Sequence, residues 1–243
     1  MKITDYLGNV LTRPQVMPTL AMDGIIHVSD TDRRDFMEHL SSLLTIFPHP
    51  HAADDGWTLL HPLRKTSAAI DEMGFTNAGL PPHTDRSLLH TPPSLLCFLL
   101  MECPSSGGIT TLVDTASVYR RFNIEELLTI QSELLLEDPR GGIRQQILTI
   151  DDIFCMNRYR ADRVAVPVAR SRRAQFLFDE LQQKIRHPAH IELHPGQGYV
   201  IHNHRFLHGR TKFTGPRTSA RLLATVADES MYRWMNRGFS IHQ

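Results

Sequence analysis

The feature that most limits the fold is the shortness of the apolar runs, which have the lengths of β-strands. The longest, Leu95–Met101, ends at Glu102 and is too short to span a bilayer. Ser94–Glu102 is therefore predicted to be a buried strand. Gly107–Asp114 is predicted to be a second strand, paired antiparallel with the first across the turn at Pro104–Gly108. Further strands are predicted over 24–28, 143–150, 190–193, 198–201 and 220–226.

Helical periodicity is found in three segments between these strands. One helix is predicted after the capping residues Ser29–Thr31, one after Asp114 or Thr115, and one over Arg170–Arg186. The sequence contains no repeat, linker or shift in composition that would divide the chain. We therefore predict one mainly β domain over residues 1–243, with helices flanking the strands.

Composition excludes several classes of protein. The chain has 26 Lys plus Arg and 26 Asp plus Glu, so no net charge attracts nucleic acid. Three cysteines are too few, and odd in number, for a secreted disulfide framework, and no secretory or membrane-spanning segment is found. We expect a cytoplasmic protein with a small-molecule substrate and neither a nucleic-acid nor a membrane partner. The oligomeric state stays open, a homodimer included.

Fourteen histidines make a metal site the first hypothesis to test. His83-Thr84-Asp85 is one H-x-D, and about one such triplet is expected by chance in this composition, so it means little alone. A ferrous oxygenase centre needs two imidazoles and one carboxylate. Alternate residues of a strand share a face, so His83 and Asp85 supply one of each, and His208 is a candidate for the third ligand. A second arrangement, His190 and Glu192 with the cluster that begins at His202, is more cramped.

The sequence around His83 resembles the taurine dioxygenase family of Fe(II)- and 2-oxoglutarate-dependent oxygenases. The H-T-D triplet is followed by T-P-P at 91–93 and by P-S-S-G-G-I-T at 104–110, in the order and spacing of that family. Asn203–Arg210 (N-H-R-F-L-H-G-R) is similar to the segment around the distal histidine of the family. The resemblance extends over residues 24–227 and implies a double-stranded β-helix, or jelly-roll, core.

The resemblance implies the cofactors and the site residues. Fe(II) would be bound by His83, Asp85 and His208. Thr110 and Arg221 match the residues that hold the distal carboxylate of 2-oxoglutarate, and Arg217 is the alternative to Arg221. An arginine fits this role because its planar, permanently charged guanidinium binds a carboxylate with two hydrogen bonds. Dioxygen would be the second cosubstrate.

The activity implied is oxidation, by default hydroxylation, of an unactivated C–H bond, with release of succinate and CO2. The substrate would be a small polar molecule such as an amino acid or a natural-product intermediate. Arg86, Arg158 and Arg160 are candidates for contacts with an acidic group of that substrate. Two alternatives stay open, a zinc-dependent hydrolase built on His202, His204 and His208, and a jelly-roll binding module without catalysis.

Overall fold

A computed structural model describes residues 1–62 and 70–241 of the chain. Most of its regular structure is β. The strands of the described residues, in chain order, are β1 (Lys2–Thr4), β2 (Ile25–Ser29), β3 (Leu44–Ile46), β4 (Trp57–Leu60), β5 (Leu80–His83), β6 (Leu95–Glu102), β7 (Ser106–Gly107), β8 (Thr110–Asp114), β9 (Leu134–Glu137), β10 (Arg144–Gln146), β11 (Leu148–Asp151), β12 (Phe154–Asn157), β13 (Val166–Ala169), β14 (Ala189–Ile191), β15 (Gly198–His202), β16 (Phe206–Arg210), β17 (Phe213–Thr214), β18 (Thr218–Val226) and β19 (Phe239–Ser240).

The larger sheet is antiparallel and has the order β1-β2-β15-β6-β18-β3, with β4 also paired to β18. Its longest strands are buried on both faces, and alternate side chains divide between two cores. In β6, Leu96 and Phe98 belong to a core shared with the second sheet, whereas Cys97 and Leu99 belong to a core on the opposite face. Burial on both faces explains why β6 is a continuous apolar run.

The second sheet has the order β14-β8-β16-β5 and lies against the inner face of the first. Leu112 of β8 and Phe206 from the start of β16 pack in one cluster with Phe98, Tyr199 and Leu223 of the larger sheet. Two facing antiparallel sheets around one interior form the jelly-roll core, so the predicted fold class is confirmed.

Helices cover the outer faces of both sheets. The helices of the described residues are α1 (Arg13–Asp23), α2 (Arg33–Leu40), α3 (Thr115–Tyr119), α4 (Ile124–Glu133) and α5 (Arg172–Ile185), with 3-10 turns at Ser41–Leu43, Ile70–Phe75 and Arg233–Asn236. Helices α1 and α2 bury Leu20 and Phe36 against the larger sheet. Helices α3, α4 and α5 pack in the core that includes Val113 and Leu207 of the smaller sheet.

The predicted antiparallel pairing of Ser94–Glu102 with Gly107–Asp114 is wrong, because β6 and β8 belong to different sheets. Between them the chain crosses from one sheet to the other through β7, which pairs with β17. Gly107 has φ of +73°, and a Cβ there would lie 2.1 Å from the carbonyl oxygen of Lys212. The two glycines at 107–108 thus serve a crossover rather than a hairpin.

Two further expectations concern the chain as a whole. The single-domain prediction for residues 1–243 includes residues 63–69 and 242–243, which lie outside the described residues. Within the described ranges, no helix combines the length and the hydropathy that a bilayer span requires.

Candidate metal and cosubstrate site

Strand pairing in the smaller sheet brings two histidines together. His83 ends β5 and lies opposite His208 of β16 in antiparallel register. The centroids of their imidazole rings are 4.4 Å apart. The two histidines are more than a hundred residues apart along the chain, and the register of β5 and β16 brings their imidazoles together.

Asp85 follows β5, and the Asn203 side chain forms hydrogen bonds with both its backbone N–H and its backbone carbonyl. The backbone N–H of Asp85 donates to Asn203 Oδ1 at 2.9 Å, and Asn203 Nδ2 donates to the Asp85 carbonyl at 3.0 Å. The intervening Thr84 donates its backbone N–H to the Tyr159 carbonyl at 2.8 Å. These bonds fix the turn that carries Asp85 towards the two histidines.

The three side chains converge on one buried point. His83 Nε2 is 3.7 Å from Asp85 Oδ1, and His208 Nε2 is 3.8 Å from Asp85 Oδ2. All three candidate ligand atoms lie within 4.8 Å of one another, a convergence of histidine, cysteine and acidic side chains found once in the described part of the chain. Each residue is less than a tenth exposed. Two imidazoles and a carboxylate at this separation can bind one ion in common.

The protonation states also suit a metal. His83 Nδ1 lies 3.0 Å from the Pro81 carbonyl, which only accepts hydrogen bonds, so Nδ1 carries the proton and Nε2 is left as an acceptor. Burial lowers the pKa of His208 to about 3, which keeps its imidazole neutral. Burial alone would raise the pKa of Asp85, but the positive charge of Arg221 holds it well below its usual value.

Arg221 extends from β18 and forms an ion pair with the same carboxylate. Its Nη1 is 3.0 Å from both oxygens of Asp85, and its Nη2 is 3.1 Å from His49 Nε2. Burial and the charge of Arg221 lower the pKa of His49 to about 4, so this imidazole is neutral and can accept a hydrogen bond. Arg221 therefore already has a counter-ion beside the candidate metal ligands.

Arg217 lies four residues earlier and has different surroundings. It is 5% exposed, and its guanidinium lies 5.6 Å from the ring centroids of Phe98 and Phe213. Its one hydrogen bond to a described residue goes to Ser219 Oγ at 3.1 Å, its Nε has no partner, and no described carboxylate is in ion-pair range. Burial lowers the pKa of Arg217, as expected for a cation without a counter-ion.

One cavity joins these groups. The metal-ligand candidates line it, and so do Arg217, Thr110 and Tyr199, three buried residues that define what we call its inner end. Thr110 is 3% exposed and starts β8. Tyr199 stacks on Phe98, with ring centroids 5.2 Å apart. The inner end thus offers a guanidinium and two hydroxyl groups to a negatively charged ligand.

The three arginines considered as substrate contacts lie in different places. A second pocket adjoins this cavity, since Asp85, Arg160 and Arg221 line both, and Arg86 lines only the second; we call this second pocket the outer opening. Arg160 donates through Nε to both carboxylate oxygens of Asp162 at 2.9 Å. Arg158 donates to Thr149 Oγ1 and to the His90 carbonyl, both at 2.8 Å, and lines neither part of the cavity. These bonds give Arg158 a structural role, because they join strand β11 to the segment that contains His90.

The side chains of His202 and His204 contact backbone carbonyls away from the site that contains His208. His202 Nε2 is 3.0 Å from the Met235 carbonyl, and His204 Nε2 is 3.2 Å from the Pro92 carbonyl. Both imidazoles are buried, and neither joins the group formed by His83, Asp85 and His208. The geometry does not support a zinc site built on His202, His204 and His208.

Two residues of the cavity were missed by sequence reasoning. His49 follows the helix-ending Phe47-Pro48 pair and carried no recognisable signal. Tyr199 could have been found, since alternation along the predicted strand 198–201 places it on the same face as Ile201, next to the sheet interior.

The solved structures described next are similar to this chain in fold. Asparagine oxygenase in complex with Fe(II), 2S,3S-3-hydroxyasparagine and succinate is 13% identical, with a TM-score of 0.64 over 88% of this chain and 78% of that one. PvcB from Pseudomonas aeruginosa is 17% identical, with a TM-score of 0.64 over 93% and 90%. OrfP in complex with Fe, succinate and (3S)-hydroxy-L-Arg is 14% identical, with a TM-score of 0.60 over 84% and 71%.

The family is shown by the sequence itself. No curated protein matches the chain. The model of the family described as "Taurine catabolism dioxygenase TauD, TfdA family" matches residues 18–134 and 142–225, which is most of the chain and includes all three metal-ligand candidates. The resemblance found in the sequence is thereby confirmed, and this chain belongs to the TauD, TfdA family of dioxygenases.

Proposed function

We propose that the protein is an Fe(II)- and 2-oxoglutarate-dependent dioxygenase that hydroxylates a small polar molecule. The observation that carries this proposal is the placement of His83, Asp85 and His208 at one end of a cavity whose inner end contains a buried arginine, Arg217, without a carboxylate partner among the described side chains. A metal dication would be bound by the ligand candidates at the first end, and a dianion that extends to the second end would neutralise Arg217.

In this proposal Arg217 and Thr110 hold the distal carboxylate of 2-oxoglutarate. A buried guanidinium without a counter-ion is costly, and a carboxylate that pairs with it removes that cost. Arg221, the residue first expected here, is bonded to Asp85, and this engagement favours the alternative, Arg217. The hydroxyl of Thr110, which lines the same cavity, would donate the accompanying hydrogen bond.

Iron would supply activation of dioxygen and removal of a hydrogen atom from the substrate. One oxygen atom becomes the new hydroxyl group, and the other enters succinate as 2-oxoglutarate loses CO2. The residues of the chain position the metal-ligand candidates and shield the cavity from water. Pro81 orients the His83 imidazole, Asn203 holds Asp85, and Leu96 and Phe98 line the cavity with apolar surface that excludes water.

The fold does not identify the substrate, so its chemical class is part of the proposal. Asparagine oxygenase and OrfP are complexed with hydroxylated amino acids, and an amino acid or a related natural-product intermediate fits a cavity lined by charged groups. A cytoplasmic location and the one-domain organisation stay predictions. The oligomeric state stays open.

The proposal is tested by anaerobic mixing of the apoprotein with Fe(II) and 2-oxoglutarate. We expect a weak visible charge-transfer band and, once oxygen is admitted, succinate release that a panel of amino acids and related acids stimulates. Protein that is rich in zinc as purified, and that takes up no oxygen with iron, ascorbate and 2-oxoglutarate, would contradict the proposal and favour a hydrolase.

A further inference from the structure

Arg86 is the residue immediately after the metal-ligand candidate Asp85, and its backbone conformation is unusual. Its φ is +57°, in the left-handed region that residues other than glycine seldom adopt. Such a conformation is energetically unfavourable and persists where neighbouring bonds impose it. Those bonds are present, since Asn203 fixes the Asp85 peptide and Leu89 donates its N–H to the Arg86 carbonyl at 2.9 Å.

The guanidinium of Arg86 has no protein partner in the described ranges. It forms no hydrogen bond or ion pair there, and its Nε is buried without a partner. Two other arginines at the same opening are different, because Arg160 is paired with Asp162 and Arg140 with Asp138. A buried donor on a permanent cation is costly to leave unsatisfied, so its position calls for a ligand.

The opening also has a surplus of positive charge. Arg86 and Arg221 both line it together with Asp85, and both contribute to the low pKa of His49, which lines the same opening. Fe(II) and the 2-oxoglutarate dianion carry opposite charges of equal size, so loading them leaves this surplus unchanged. A neutral or cationic substrate would not offset it.

We propose that Arg86 is a specificity-determining residue that binds an oxyanion group of the substrate at the outer opening, beside Arg221. The substrate is then a small acid whose carboxylate, sulfonate or phosphonate lies at Arg86 while its reacting C–H bond faces the metal. This inference rests on the proposed function, because it assigns one end of the substrate of that same site.

The test is isothermal titration calorimetry on full-length protein loaded with Mn(II) and 2-oxoglutarate. The probes are amino acids and short aliphatic acids, each paired with its neutral primary amide, and the sulfonates and phosphonates of the same chain length. We expect at least one acid to bind about 10- to 100-fold more tightly than its amide, as a charged hydrogen bond provides. The comparison of carboxylates, sulfonates and phosphonates identifies which oxyanion fits.

Variants then assign the preference to Arg86. Arg86→Gln should reduce the ratio of acid to amide affinity to near one, and Arg86→Lys should retain part of it. Arg140→Gln is the matched control, since Arg140 lines the same opening but is paired with Asp138, and it should keep the wild-type ratio. Unchanged affinity for 2-oxoglutarate in all three variants shows that they are folded.

The inference is overturned if no acid in the panel binds, if acids and amides bind alike, or if Arg86→Gln preserves the ratio. Failure of the proposed function is a separate result, because it would be seen earlier as absent binding of Mn(II) or of 2-oxoglutarate to the wild-type protein.

Discussion

Arg217 and Arg221 lie four residues apart near the start of β18, yet Arg221 is bonded to a carboxylate and Arg217 has no carboxylate partner among the described side chains. Arg221 donates to both oxygens of Asp85, whereas Arg217 lies 5.6 Å from the centroids of two aromatic rings and donates to Ser219. The two residues are of the same type and lie close together in the sequence. The surroundings therefore decide which arginine can receive a ligand anion, and the inner one can.

The cavity has two halves, with Arg221 in the outer half and Arg217 in the inner half. In the outer half, Asp85, Arg221 and His49 already satisfy one another, and a metal would share the carboxylate. In the inner half, Arg217 is left to be neutralised by a ligand. Changes in the outer half should act on metal binding and on stability, and changes in the inner half should act on cosubstrate affinity.

The largest effect is expected for Asp85→Ala. The variant loses a metal ligand and leaves Arg221 as a largely buried cation without a counter-ion. Mn(II) affinity should fall more than about 100-fold, and the free energy of unfolding of the metal-free protein should fall by about 3 kcal/mol. Mn(II) titration followed by electron paramagnetic resonance and urea unfolding measure the two effects. Asp162→Asn, which removes the partner of Arg160, is the control and should keep Mn(II) affinity. Wild-type Mn(II) affinity in Asp85→Ala would refute the metal site.

A smaller effect separates the two arginines. Arg217→Gln should weaken 2-oxoglutarate binding by about 2–4 kcal/mol, because a charged, two-point contact is lost in a buried site. Arg221→Gln should change 2-oxoglutarate affinity much less and should alter Mn(II) affinity instead. Calorimetric titration of each Mn(II)-loaded variant with 2-oxoglutarate measures the difference. A loss confined to Arg221→Gln would reverse the assignment.

The smallest effect concerns His49 and pH. Its pKa is about 4 in the folded protein and about 6.5 when unfolded, so the unfolded chain takes up the proton first as pH falls. The stability contributed by neutral His49 is present above pH 6.5 and is lost between pH 6.5 and 4. Allowing for its half-exposed position, this loss is about 1–2 kcal/mol. Urea unfolding of His49→Gln from pH 7 to pH 4 should therefore show a shallower decline than wild type. Parallel declines in the two proteins would show that His49 is not held neutral.

Several elements of the fold could be predicted from the sequence because their signals are local. The predicted strand Ser94–Glu102 and the predicted helix Arg170–Arg186 correspond to β6 and α5 within two residues at each end. The pairing of β6 was predicted wrongly, since the choice of partner depends on contacts distant in the chain, and Gly198–His202 and Thr218–Val226 occupy both of its edges. Helix α1 was not predicted because prolines at 14 and 18 obscure its pattern.

The candidate site shows the same division. His83, Asp85 and His208 could be named because their spacing matched a family pattern, and the structure brings them together. The separate roles of Arg217 and Arg221 could not be predicted, since both intervals from His208 were acceptable and only the contacts with Asp85 and Ser219 distinguish them. Counter-ion pairing is a property of the folded chain.

The most direct test of the account is a crystal structure of the protein with Mn(II) and 2-oxoglutarate bound. The account predicts one ion ligated by His83 Nε2, Asp85 and His208 Nε2 at about 2.0–2.3 Å, with the distal carboxylate of 2-oxoglutarate on Arg217. An ion bound elsewhere, or that carboxylate on Arg221 with Arg217 still unpaired, would contradict it.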